Sequence, residues 1–245
     1  MTENPEIRLN PDHDVKAYRE AFARDKMLHI PNILVPEAAK RLHRCLTEEI
    51  GWNLTYNDDE GLQHLFASKM AKMTPAERAA LQQKVLQRAK TGKFQFFFGS
   101  FAIEDAYKEN IVRDMYISRF YEFVNSEPFL DFMREITGFK TIAHATQQAT
   151  AYGPGHFLTD HNDFEPGKSR KVAMVFNLTP EWKAEWGGIL EFIDQEGKTT
   201  SGLIPSFNAL NFFAVPRRHV VTQVATYSPA IRYAITGWLV ERDYE

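Results

Sequence analysis

Apolar residues recur along this chain with two different periods, and the period changes near residue 138. Before that point the spacing is mostly helical. Val15, Tyr18, Ala21 and Phe22 predict an amphipathic helix over Asp14–Arg24. A second helix is expected over Pro36–Ile50, with proline at the favoured first position and Gly51 just past its end. Ala38, Leu42, Cys45, Leu46 and Glu49 then share one mostly apolar side. Thr74-Pro-Ala-Glu77 reads as a capping box that opens a third helix, and Gly92 closes it. Two more helices are expected over Ile117–Asn125 and Ser126–Thr137, with Ser126 as cap and Gly138 as stop. Strands interrupt this half at Met27–Ile30, Trp52–Tyr56 and Lys93–Phe101. The last holds Phe94, Phe96, Phe97, Phe98 and Phe101, a pattern for a strand buried on both faces in preference to a substrate-facing aromatic wall. Residues 1–13, polar with two prolines, predict an extended arm.

After residue 138 the pattern breaks into short β-rich runs separated by Gly, Pro and Asn. They cover Lys140–Tyr152, His156–His161, Arg170–Leu178, Ile189–Asp194, Gly202–Ile204, Ala209–Phe213, His219–Val224 and Ile231–Val240. Short strands at this density predict a jelly roll, in which strands far apart in sequence become neighbours. The expected class is α+β: a single domain over 1–245, with 1–138 as mainly helical support containing some strands and 139–245 as the jelly-roll core. Helices packed on one sheet would cover its outer face.

Composition narrows the function classes. A net charge of −3 gives no global field for nucleic acid or anionic lipid, so a nucleic-acid partner is not expected. The single cysteine, Cys45, rules out an internal disulfide framework, and its helical neighbours make it a small buried residue. The first residues show no basic-then-apolar leader, and no apolar run reaches membrane-spanning length. A cytoplasmic protein without a membrane partner is the expectation.

The candidate chemistry lies in Tyr152-Gly-Pro-Gly-His-Phe-Leu-Thr-Asp-His161-Asn-Asp163 and in two residues far downstream, His219 and Arg232. Residues two apart on a strand face the same way, which puts His161 and Asp163 on one side and the rival Asp160 on the other. His219, returned from a distant strand, would complete two imidazoles and one carboxylate, a set that suits ferrous iron and leaves coordination positions open. Taken alone, His219 is more simply a strand-end histidine bonded to backbone. Arg232 shares a strand face with Ala234 and Thr236, and a buried arginine needs an anion. That anion is either a bound carboxylate or a protein acid such as Glu191. Tyr152 can bond the same carboxylate or serve as core. His144 and His156 read as structural histidines, and Trp182, Trp186 and Trp238 as core or rim residues. The polar segment Asn57–Gly61 and the loop Phe164–Ser169 are expected to be mobile walls over the site.

The run from Tyr152 to Trp238 resembles the 2-oxoglutarate- and Fe(II)-dependent oxygenases of the prolyl hydroxylase type. It is nearest in character to the ribosomal-protein prolyl hydroxylases of eukaryotes and their single-domain bacterial relatives. The likeness rests on His161-Asn-Asp163, Gly187-Gly-Ile-Leu-Glu-Phe-Ile-Asp194, Leu203–Phe213, His219-Val-Val and Arg232-Tyr-Ala-Ile-Thr-Gly-Trp238. It implies a metal held by His161, Asp163 and His219, and 2-oxoglutarate held by Arg232, Tyr152 and Thr236. It also implies O2 as oxidant, ascorbate as reductant, and a peptidyl proline, such as one in a ribosomal protein, as substrate. A small-molecule substrate and a non-redox metal-binding jelly roll are the alternatives. Three departures stand out: the second jelly roll of the larger eukaryotic members is absent here, Ala234 stands where a serine is frequent, and Asn177 where many animal members have tyrosine.

Overall fold

A computed structural model of the chain describes residues 4–241. Residues 1–3 of the expected arm lie outside that range. The rest of the arm is extended: Leu9 bridges to Leu34, and the Pro5 carbonyl accepts a hydrogen bond from the Tyr116 hydroxyl at 2.8 Å.

The expected helices form as α1 (Val15–Asp25), α2 (Pro36–Glu48), α4 (Pro75–Lys90), α6 (Tyr116–Val124) and α7 (Glu127–Thr137). The Thr74–Glu77 capping box is present, with both reciprocal bonds made. Gly138 ends α7 in the left-handed region at φ 78°. Ser126 occupies the cap position of α7, but its hydroxyl donates backwards to the Phe123 carbonyl at 2.7 Å, so it caps nothing. Two short helices, α3 (Ala67–Met70) and α5 (Ile103–Lys108), were not expected. Each is too short to show a period.

The strands are β1 (Met27–Ile30), β2 (Asn53–Asp58), β3 (Gly61–Leu65), β4 (Phe96–Phe101), β5 (Ile142–Ala145), β6 (Gln148–Tyr152), β7 (Phe157–His161), β8 (Arg170–Asn177), β9 (Leu190–Ile193), β10 (Thr199–Leu203), β11 (Ala209–Ala214), β12 (His219–Val221) and β13 (Arg232–Glu241). They form one antiparallel sheet that curls over on itself, in the order β1-β11-β8-β13-β6-β4-β7-β12-β9-β10, with β2, β3 and β5 attached at its sides. This is the α+β jelly-roll architecture expected. The first half of the chain contributes more than helical cover, because β4 sits between β6 and β7. The single run expected over Lys140–Tyr152 divides into β5 and β6. The break is at Thr146, whose hydroxyl accepts from Trp238 N–H at 3.0 Å and whose backbone crosses close over Gly237.

Alternation along β8 builds two apolar layers. Val172, Met174 and Phe176 point outward to Phe22, Leu42, Phe120 and Phe129 from α1, α2, α6 and α7. Phe120 meets Phe176 edge-on at 5.0 Å, and Phe22 stacks on Phe212 at 5.3 Å. Each such fully buried side chain contributes about 1.5–3 kcal/mol. Ala173 and Val175 point inward, where they pack with Leu190, Phe192, Phe213 and Ala234 between the two layers of the roll.

Candidate active site

The two histidines are brought together by strand register. His161 on β7 and His219 on β12 are direct cross-strand partners, and their ring centroids lie 4.0 Å apart. His161 Nδ1 lies 2.9 Å from the Thr159 carbonyl and His219 Nδ1 lies 2.8 Å from the Arg217 carbonyl. A carbonyl can only accept, so each Nδ1 carries the hydrogen and each Nε2 presents a lone pair to a common point. Asp163 completes the group, with its oxygens 3.4 Å from His161 Nε2 and 3.5 Å from His219 Nε2. One ligand atom from each of the three lies within 4.8 Å of the others. The donor set, its tautomers and its spacing fit a divalent metal with three protein ligands on one face.

β7 ends at His161, so Asp163 is not on the strand whose alternation singled it out. It reaches the centre because its backbone turns into the left-handed region, φ 61°, which aspartate tolerates better than most residues. Arg170 holds that turn. Its Nη1 donates to the Asp163 carbonyl at 3.2 Å, its Nη2 pairs with Glu165 at 2.9 Å, and its guanidinium lies 3.8 Å from the centre of the Trp238 ring. Nothing in the sequence marked Arg170, because this brace exists only once the turn and β13 are adjacent. Asp160, the rival, is exposed and paired with Arg218.

Electrostatics keep the cluster ready for a cation. Burial pushes the His219 imidazole down to about 4, helped by the neighbouring His161 ring and opposed by Asp163. Burial alone would raise the Asp163 carboxyl, but the adjacent His161 and His219 imidazoles hold it below its ordinary range. Near neutrality His219 is therefore a neutral imidazole and Asp163 a carboxylate.

Arg232 faces the same cavity, of roughly 770 Å³. It is 3% exposed, and its Nε and Nη1 are buried without a hydrogen-bond partner. Glu191, the protein acid that could have paired with it, instead accepts from the Thr199 hydroxyl at 3.0 Å. Tyr152 is the cross-strand partner of Arg232 and its ring centre lies 5.3 Å from the guanidinium carbon. Burial raises the phenol's pKa, so it stays protonated and able to donate. Thr236 lines the cavity one alternation beyond Ala234. A buried cationic fork with free N–H groups, a phenol and a hydroxyl suit a carboxylate.

The phenylalanine-rich strand is both core and cavity wall. Phe97 packs outward with Leu54, Val85 and Phe157, whereas Phe96 and Phe98 line the cavity with Tyr152 and Val221. At the mouth stand Leu62, Phe94 and Phe164, which are 57%, 44% and 64% exposed. Leu62 belongs to the β2–β3 hairpin, and the polar Asn57–Gly61 segment is the end of β2 and the hairpin turn. His144 bonds Glu104 at 3.0 Å, away from the centre, and His156 Nδ1 accepts from Gly153 N–H at 3.1 Å. Trp182 donates to the Gly187 carbonyl at 2.9 Å.

Residues 147–240 match the 2OG-Fe(II) oxygenase superfamily. Over 119 residues the chain is 29% identical to prolyl 3-hydroxylase OGFOD1 of Mus musculus, a stretch that is 46% of this chain and 21% of that protein. The chain thus spans about a fifth of that curated relative. Among solved structures, a Pseudomonas putida prolyl-4-hydroxylase superposes with a TM-score of 0.53 at 15% identity, covering 93% of this chain and 99% of that one. A Trichoplax adhaerens prolyl hydroxylase, solved with a hypoxia inducible factor oxygen degradation domain peptide, gives 0.55 at 17% identity, covering 93% and 89%. At these identities the structural likeness establishes the fold.

Proposed function

We propose that the chain, whose residues 147–240 match the 2OG-Fe(II) oxygenase superfamily, is a dioxygenase of the prolyl hydroxylase type that hydroxylates a peptidyl proline. The observation that carries the reading is Arg232, a buried guanidinium with unpartnered Nε and Nη1 in the cavity that also holds His161, Asp163 and His219. A non-redox metal site would have no use for that fork.

In this reading His161, Asp163 and His219 hold Fe(II) through two Nε2 atoms and a carboxylate oxygen. Arg232 pairs with the distal carboxylate of 2-oxoglutarate, with the Tyr152 hydroxyl and Thr236 as further donors. When bound, the iron and 2-oxoglutarate supply an oxidative decarboxylation by O2 that yields succinate and CO2 and gives one oxygen atom to a C–H bond. Phe96, Phe98 and Val221 keep water from the reacting end of the cavity. The exposed apolar rim of Leu62, Phe94 and Phe164 suits a peptide better than a fully enclosed metabolite. A ribosomal protein as the source of that peptide, ascorbate as reductant and a cytoplasmic location complete the proposal.

Anaerobic calorimetry with Mn(II) in place of iron tests the co-substrate assignment. Arg232→Ala should weaken 2-oxoglutarate by about thirtyfold to several thousandfold, as loss of a buried charged pair costs about 2–5 kcal/mol. Arg232→Lys should recover only part, because an ammonium lacks the fork. Unchanged affinity in Arg232→Ala would make the residue structural and favour the non-redox jelly roll. Mass spectrometry of cellular proteins, with and without the enzyme, would then locate prolines that gain one oxygen.

A further inference from the structure

A second cavity, of roughly 600 Å³, lies behind the sheet from the active site. Its floor is the reverse face of the strands that carry Arg232 and Tyr152. Ile231 and Tyr233 flank Arg232 at the start of β13, and Ala151 and Gly153 flank Tyr152 at the end of β6. The cavity exists because that floor is built from small residues. At Gly99, an added Cβ would already lie 3.2 Å from the Ala151 Cβ and 3.5 Å from the Trp52 ring. The walls are Trp52, Leu54, Leu65 and Phe97. The roof is α4, with Leu81 facing in and Gln82 closing against Gly155, and Met70 and Met73 complete one side. Val85 is the one fully buried residue of that sixteen-residue helix, so the roof is lightly anchored.

The formal charge lining this chamber has one sign. Among the described residues, Arg78 is the only charged residue lining it, and no carboxylate does. Arg78 Nη2 donates to the Met70 carbonyl at 2.8 Å, and the guanidinium makes no ion pair among the described residues. Its neighbour Glu77 is committed to the capping box. Lys69 and Lys72, both exposed, lie in the segment that bears Met70 and Met73. Burial lowers the pKa of His156, which also lines the chamber. A volume in the usual range for ligand sites, an apolar lining and a lone cation at the edge select one kind of occupant.

We propose that this back cavity is a second binding site, for an apolar chain or ring bearing a single anionic head group. The apolar body lies over Gly99 and Ala151 beneath α4, and the head pairs with Arg78. The site is separate from the 2-oxoglutarate cavity and does not depend on the reaction assigned there.

The test uses the full chain and two matched probes, decanoate and decyltrimethylammonium, titrated by calorimetry below micelle-forming concentrations. Decanoate should bind with one-to-one stoichiometry and at least about tenfold more tightly than the cation. Its affinity should be unchanged by saturating 2-oxoglutarate and Mn(II). Arg78→Glu, an exposed change that leaves the core intact, should weaken decanoate about tenfold or more and reverse the preference, while Arg78→Lys keeps it. Ala79→Trp, which fills the chamber from the exposed helix, should weaken both probes. No decanoate binding, equal affinity for the two probes, or indifference to Arg78→Glu would overturn the proposal. So would displacement by 2-oxoglutarate, which would put decanoate in the front cavity instead.

Discussion

Asp163 reaches the two imidazoles by a route that strand alternation does not describe. Strand alternation separates it from Asp160, yet the strand stops at His161 and the left-handed turn at φ 61°, braced by Arg170, brings the carboxylate to the two imidazoles. Asp160 instead pairs with Arg218 on the other side. Metal titration should therefore separate the two sharply. Asp163→Asn should lower Mn(II) affinity by roughly a hundredfold or more, since even outer partners of ligands are worth about 10–100-fold, while Asp160→Asn stays close to wild type. The reverse order would show that Asp160 is the ligand in solution. His156 gives a pH prediction with a definite sign. Burial lowers its pKa from the ordinary value of 6.5, so the unfolded chain binds a proton more readily than the folded one. The stabilising contribution is complete above the ordinary value and is lost as pH falls through the folded value. Melting temperature should fall from about pH 7.5 to about pH 5.5, and less steeply in His156→Gln. Equal slopes would mean that other groups carry the acid dependence.

Elements with a strong local signature were legible, and those without one were not. The capping box at Thr74–Glu77 and the glycine stop at Gly138 come from chemistry local to a few residues, and both are found in place. Thr74→Ala should cost about 1 kcal/mol in urea unfolding, read as a lower midpoint with an unchanged slope. The β2–β3 hairpin was missed because its second strand, Gly61–Leu65, is mostly exposed and shows no apolar alternation. It stands at the cavity mouth with the loop bearing Phe164, and on the proposed peptide reading these two form the wall along the substrate. Exchanging both exposed rim residues, Leu62→Ser with Phe164→Ser, should raise KM for a peptide substrate about tenfold or more while leaving 2-oxoglutarate affinity unchanged. Backbone hydrogen exchange over residues 57–65 and 164–169 should slow when peptide and 2-oxoglutarate are bound together. Exchange identical in both states would remove the walls from the closing step.

The sequence pattern told which face of each strand is apolar but not which strand lies beside it, since a two-residue period carries no partner identity. That is why β4 read as part of a support while the fold inserts it between β6 and β7. The consequence is an integrity that reaches across the change of period at residue 138. Removing residues 1–138 would take β4 away from Ala149–Ala151 and from Phe157 and Leu158, its partners on the two sides. It would also strip β1 from β11 and expose Val172, Met174, Phe176, Leu210, Phe212, Ile235 and Leu239, which now face the helices. Unpaired interior strand edges and an exposed apolar layer of that extent are not tolerated in a stable monomer. The strands bearing the metal candidates would lose their frame too, because β7 carries His161 and is held on its far side by β4. The fragment 139–245 alone should show no cooperative urea transition and no Mn(II) binding at a concentration that saturates the whole chain. Refolding it together with the fragment 1–138 should restore both. A fragment that unfolds cooperatively and binds Mn(II) by itself would show that the jelly roll is independent and that the first half is an accessory to it.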